Sequence, residues 1–106
     1  MLATVGIAGC GGGTTDKLTV QDGPVGDANA ITPADLKAGK GNKVEIKVTN
    51  TATDKPHGFS IDGYGVAKTL DPGKTETISF TADKAGTYRV FCQLHPAHQP
   101  AQLVVT

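Results

Sequence analysis

Aromatic residues and methionine are scarce in this chain. There is no Trp, and with only three Phe and two Tyr we expect no surface of many stacked aromatic rings. The single Met is residue 1, so the rest of the chain offers no thioether to a metal. Ten basic and ten acidic residues cancel, which gives no charge field directed at nucleic acid or an anionic membrane surface. No apolar run is long enough to span a bilayer.

Glycine and proline are abundant instead. The 106 residues include 14 Gly and 6 Pro, and short runs of alternating apolar and polar residues are separated by turn residues. The length fits one domain with a modest core. We therefore predict an all-β fold, a small sandwich or barrel of about seven or eight strands.

The clearest predicted strand is 43–50, because Val44, Ile46 and Val48 alternate with polar residues and share one face. Later strands are predicted at 58–62, 75–80, 87–92 and 102–105. The same alternation places Phe59 and the preceding His57 on the core side.

The N-terminal half is less regular. Residues 17–20 are predicted as a strand and residues 22–27 as a turn, because Asp, Gly and Pro cluster there. Residues 30–36 are predicted as an edge strand, since Pro33 has no N–H to donate to a neighbouring strand.

One thiol and three imidazoles form the candidate site. Cys92, His95 and His98 lie on a short loop between two apolar runs, and the third histidine of the chain, His57, lies just ahead of a predicted strand. A Cys and a His that both face inward can meet at one end of a sandwich. This donor set suits copper or zinc. The alternatives are that Cys92 is a small buried apolar residue and that the loop histidines are solvated.

Several segments resemble the cupredoxins, the Greek-key sandwiches that include the blue copper proteins. They are residues 44–50, 56–59, the 72–73 turn, and 86–92 followed by His95. Segments 58–62, 77–86 and 92–96 are similar to the nitrosocyanin-like cupredoxins, which are red copper proteins. This resemblance implies a Greek-key β-sandwich that holds one copper ion and exchanges electrons with redox protein partners.

The resemblance also implies the metal ligands. His57 matches the strand histidine of ordinary cupredoxins, although nitrosocyanin-like proteins have a glutamate there. Cys92 and His95 match the thiolate and the loop histidine, and His98 is the nearest match to a second loop histidine. No residue matches the usual axial Met, so we expect a lower reduction potential than in Met-ligated relatives.

Whether His98 binds the metal separates two functions. With four protein ligands the site is closed and suits a one-electron carrier, which is the expected role rather than an enzyme. Without His98 the metal has an open position for small-molecule redox chemistry or sensing. Copper delivery and a structural zinc site are less favoured, because the chain has no Met- or His-rich run and a sandwich has its own core.

The first residues suggest export. Residues 7–10, Ile-Ala-Gly-Cys, are similar to a bacterial lipobox and precede a glycine run. We therefore predict that residues 1–15 are a signal remnant and linker, that residues 16–106 are the cupredoxin domain, and that Cys10 carries a lipid anchor on the periplasmic or outer face of a membrane. The segment has no basic residue and a short apolar region, unlike a complete secretory signal. A disulfide between Cys10 and Cys92 is disfavoured, since it would consume the thiol of the metal site.

Overall fold

Nine β-strands form two sheets in the computed structural model, which describes residues 14–25, 28–94 and 100–106. The strands are β1 (Thr15–Val25), β2 (Ala28–Thr32), β3 (Asp35–Ala38), β4 (Lys43–Asn50), β5 (His57–Ile61), β6 (Val66–Leu70), β7 (Thr75–Thr81), β8 (Gly86–Phe91) and β9 (Ala101–Val105). Within those ranges the chain forms no helix, and so none that could cross a membrane. The predicted all-β fold is confirmed.

The two sheets contain both parallel and antiparallel pairs. One sheet has the order β2-β1-β4-β7 and the other has the order β3-β9-β8-β5-β6. β1 runs parallel to β4 and β3 runs parallel to β9, while the other pairs are antiparallel. In this order, strands that are distant in sequence lie side by side, and β5 is the neighbour of β8.

Alternating apolar residues of both sheets build the core. In β4 the burial alternates as predicted, with Val44, Ile46 and Val48 fully buried. Phe59 of β5 and Leu103 of β9 are also fully buried and belong to the same cluster. Burial of these side chains supplies the main driving force for folding.

The predicted turn at residues 22–27 is wrong for its first part, because β1 continues to Val25. The pairing of β1 with β4 ends at Asp22 opposite Asn50, so Pro24 lies beyond β4 and pairs only with β2. The missing N–H of Pro24 therefore costs no bond to β4. Gly23 has a φ of 158°, which is extended backbone.

The single edge strand predicted at residues 30–36 is two strands. β2 ends at Thr32, the Thr32–Pro33 peptide bond is cis, and β3 begins at Asp35. β2 lies at the edge of one sheet and β3 at the edge of the other. The chain crosses between the sheets at Pro33, which accounts for one strand more than predicted, and β6, where no strand was predicted, accounts for another.

Candidate metal centre

Three buried side chains with metal-binding atoms meet at one end of the sandwich. Asp22 comes from β1, His57 is the first residue of β5, and Cys92 directly follows β8. One ligand atom of each lies within 4.8 Å of the others. Asp22 has no exposed surface, and His57 and Cys92 are each 2% exposed.

The pairing of β5 with β8 brings His57 and Cys92 together. Ser60 lies opposite Phe91 and Ile61 opposite Val90, so the start of β5 faces the end of β8. The backbone N–H of Gly58 donates a hydrogen bond to Cys92 Sγ at 3.1 Å. The predicted inward positions of both side chains are confirmed.

Asn50 fixes the backbone around His57. Its side-chain Nδ2 donates to the carbonyl oxygens of Lys55 and Leu70, each at 3.0 Å, and its Oδ1 accepts from the N–H of Ala52 at 2.9 Å. Lys55 lies in the loop that leads to His57, and Leu70 is opposite His57 in the β5–β6 pair. Asn50 therefore holds both the loop before His57 and the strand beside it.

Gln93 anchors the chain just after Cys92. Its Oε1 accepts from Ser60 Oγ at 2.7 Å and its Nε2 donates to the carbonyl of Lys68 at 2.9 Å. The side chain passes over Gly58, where an added Cβ would lie 2.2 Å from Gln93 Oε1. A side chain at position 58 would have to push the Gln93 amide aside, and the two hydrogen bonds of that amide hold the first residue after the thiol against β5 and β6.

Asp22 is the residue of this centre that the sequence analysis missed. Its Oδ1 lies 3.6 Å from His57 Nδ1, and neither carboxylate oxygen has a hydrogen-bond partner among the described residues. Burial raises the pKa of Asp22 from 3.8 to about 7. The alternation of side chains along a strand could have revealed this residue, because Asp22 follows Leu18 and Val20 at two-residue spacing and therefore faces inward as they do. The adjacent Gly-Pro instead favoured a turn.

The loop histidines lie outside the described residues. His95 and His98 belong to the segment 95–99, so their assignment as ligands stays a prediction, as does the lipid anchor on Cys10. The described chain leads up to this segment at Leu94, which is 42% exposed, and continues from Pro100.

The residues present fit a metal ion. A thiolate, an imidazole and a carboxylate are donors for first-row transition metals such as copper and zinc. A buried carboxylate without hydrogen bonds is costly unless a positive charge compensates it. A cation among Asp22, His57 and Cys92 would supply that compensation.

Comparison with known proteins gives a family match and partial relatives. The sequence model of the Cupredoxin-like domain family matches residues 12–105. Nitrous-oxide reductase of Pseudomonas fluorescens is 32% identical over 88 residues, which cover 74% of this chain and 14% of that protein. The chain thus spans only a small part of the length of this curated relative.

Solved structures with the same fold match most of the chain. Auracyanin from Roseiflexus castenholzii has a TM-score of 0.70 at 22% identity, covering 89% of this chain and 99% of that one. A purple cupredoxin from Nitrosopumilus maritimus has a TM-score of 0.57 at 18% identity, covering 83% and 98%. At these identities the likeness concerns the fold.

Proposed function

This chain belongs to the Cupredoxin-like domain family, and from that premise we propose that it binds one copper ion and carries single electrons between redox proteins. The observation that carries the proposal is the buried pair of His57, at the start of β5, and Cys92, just after the adjacent β8, with a ligand atom of each within 4.8 Å of the other. Thiolate and imidazole are the donors from which copper electron-transfer sites are built.

The protein's own residues would hold the ligands in place. Copper, when bound, supplies a one-electron couple between Cu(I) and Cu(II). Cys92 is fixed by the Gly58 N–H and by the anchored Gln93, and His57 is fixed by its place in β5. Because strands rather than mobile side chains set these positions, little movement would accompany gain or loss of one electron.

The remaining parts of the proposal come from the sequence. His95 is the third ligand, His98 is the fourth, and the partners are proteins that donate and accept one electron. The protein is exported and tethered through Cys10, as the lipobox-like residues 7–10 predict. We also propose that, among the cupredoxins, this protein is similar to the nitrosocyanin-like group.

The proposal is tested by loading the protein with Cu(II) and recording its optical and electron paramagnetic resonance spectra. We expect one copper ion per chain, a thiolate-to-copper charge-transfer band, and reversible one-electron voltammetry. Cys92→Ser should remove the band, whereas Cys10→Ser should leave it unchanged. Copper that binds without the band, or equally well to Cys92→Ser, would refute the proposed site.

A second function is favoured by the absence of any Met after residue 1. Without an axial thioether, the metal could have an exchangeable position for small-molecule redox chemistry or sensing. Azide added to the copper protein distinguishes the two functions. A closed site keeps its spectrum in azide and changes it in His98→Ala, whereas an open site changes in azide and is insensitive to His98→Ala.

A further inference from the structure

Asp22 is a buried acidic side chain to which the proposed copper site assigns no role. It comes from β1, in the sheet opposite the one that contains β5 and β8. Its carboxyl group has no exposed surface, and neither oxygen accepts a hydrogen bond from a described residue. Structural carboxylates in a core normally accept hydrogen bonds from backbone or side-chain donors. Asp16 of the same strand does so, accepting from Gly39 N–H and Asn42 Nδ2.

The distance between Asp22 and His57 fits two ligands of one ion better than a hydrogen bond. Asp22 Oδ1 lies 3.6 Å from His57 Nδ1, whereas an N–H···O bond is about 2.7–3.2 Å long. Two atoms that bind one metal ion at about 2.0–2.2 Å, with an angle of about 90–120° at the metal, lie roughly 2.8–3.8 Å apart. Cys92 Sγ completes a set of three donor atoms within 4.8 Å of one another.

We propose that the carboxylate of Asp22 is a direct ligand of the same metal ion as His57 and Cys92. The inference rests on the proposed copper site and adds to it an anionic oxygen donor from the opposite sheet. The neighbouring Gly23 allows this approach, because a Cβ there would lie 2.2 Å from Thr51 Oγ1. β1 can therefore lie close to the loop that leads from β4 to His57.

If Asp22 binds the metal directly, it affects the two oxidation states of copper differently, whereas a residue that only orients His57 does not. Oxygen donors are hard and favour Cu(II), whereas thiolate and thioether donors favour Cu(I). Loss of Asp22 should therefore weaken Cu(II) binding far more than Cu(I) binding. A residue that only orients His57 would affect both oxidation states alike.

The test compares the parent, Asp22→Asn and the control Asp16→Asn. Dissociation constants for Cu(II) and Cu(I) are measured by competition with chelators, and the reduction potential by voltammetry. For Asp22→Asn we expect Cu(II) binding to weaken by about tenfold or more and Cu(I) binding by less than about threefold. Each tenfold increase in the Cu(II) dissociation constant relative to the Cu(I) dissociation constant raises the reduction potential by about 59 mV. Asp16→Asn should match the parent in all three measurements.

The outcomes separate this inference from the copper function. If Asp22→Asn binds both oxidation states as the parent does, or weakens both by the same factor, Asp22 is not a ligand and the copper site stands without it. If the parent shows no thiolate-to-copper band, the copper function itself fails. A crystal structure of the copper-loaded parent provides a measurement that needs no variant. A carboxylate oxygen within about 2.3 Å of copper supports the proposal, and one beyond about 3 Å overturns it.

Discussion

Asp22 brings an acidic group into the core of the metal-free protein. Since burial raises the pKa of Asp22 from 3.8 to about 7, the folded protein keeps a proton that the unfolded chain loses at lower pH. Between about pH 4 and about pH 7 the unfolded state therefore binds fewer protons, and the free energy of unfolding falls as the pH rises. The neutral acid is the form that this position stabilises.

We expect Asp22→Asn to remove this component of the pH dependence in metal-free protein. Urea denaturation at pH 4, 5.5 and 7.5 should show the variant gaining stability relative to the parent as the pH rises, because an amide has no proton to lose. His57 remains as the facing titratable group in both proteins, so the difference between them isolates Asp22. Asp16→Asn is the control, and equal slopes for the parent and Asp22→Asn would contradict the prediction.

Gly58 and Gln93 should be coupled in stability. Gly58→Ala places a Cβ on the Gln93 amide and should cost about 1–2 kcal/mol, because the amide must move away from Ser60 Oγ and the Lys68 carbonyl. Gln93→Ala removes two hydrogen bonds and should cost about 1–2 kcal/mol. In the double variant the methyl group added at position 58 has room, so the combined cost should be well below the sum, as urea midpoints would show. Additive costs would mean that the contact does not matter.

At the scale of strands, β4 shows how an element supports the site from a distance. One face of β4 fills the core, and its last residue, Asn50, bonds through its side chain to three backbone groups around His57. The strand thus connects core packing with the placement of His57.

We expect Asn50→Ala to reduce both stability and copper affinity. Loss of three hydrogen bonds, two buried and one partly buried, should cost about 2–4 kcal/mol, because two carbonyls and one N–H lose their partner. Thr49→Ala is the matched control, since the Thr49 hydroxyl bonds to Thr75 at the exposed face, and it should cost less than about 1 kcal/mol. Urea denaturation and copper competition measure the two effects. An Asn50→Ala protein with parental copper affinity would show that the loop before His57 holds its position without Asn50.

The strands that sequence predicted best are those in which local pattern and burial agree. β4 was predicted with its observed bounds because Val44, Ile46 and Val48 alternate cleanly. The prediction failed at Asp22, where Asp-Gly-Pro favours a turn locally. The end of β4 lets β1 continue past that point without a lost bond, and this pairing is not visible in the local sequence.

The candidate site was predictable only in part for the same reason. His57 and Cys92 carry a recognisable pattern of types and spacing, and both are buried where the pattern placed them. Asp22 joins them because β1 lies in the opposite sheet and approaches β5 across the core. Which residue faces a site across two sheets depends on the packing of the whole fold.

At the scale of the whole molecule, the candidate metal centre spans both sheets. Asp22 belongs to the sheet of β1 and β4, while His57 and Cys92 belong to the sheet of β5 and β8. A metal ion bound to all three would link the two layers in the folded state, and the unfolded chain offers no such arrangement.

Metal binding should therefore raise the melting temperature through all three residues. Zinc serves as a redox-inert probe, and at a hundredfold excess over its dissociation constant it should stabilise the protein by about 2.7 kcal/mol. Thermal unfolding followed by circular dichroism measures the shift. Cys92→Ser and Asp22→Asn should each reduce it, and Cys10→Ser should not. A shift that survives Cys92→Ser would show that zinc binds elsewhere.

The three residues of the candidate site are brought together from distant parts of the chain. Gly58 and Cys92, which are joined by the N–H···S bond, lie 34 residues apart in the chain, and Asp22 stands in the first strand. All three side chains come together only where β5 lies beside β8 and the sheet that contains β1 packs against theirs. Binding of a metal ion by all three residues would therefore be coupled to completion of the fold. Occupancy by metal would then be a record that a given molecule has finished folding correctly.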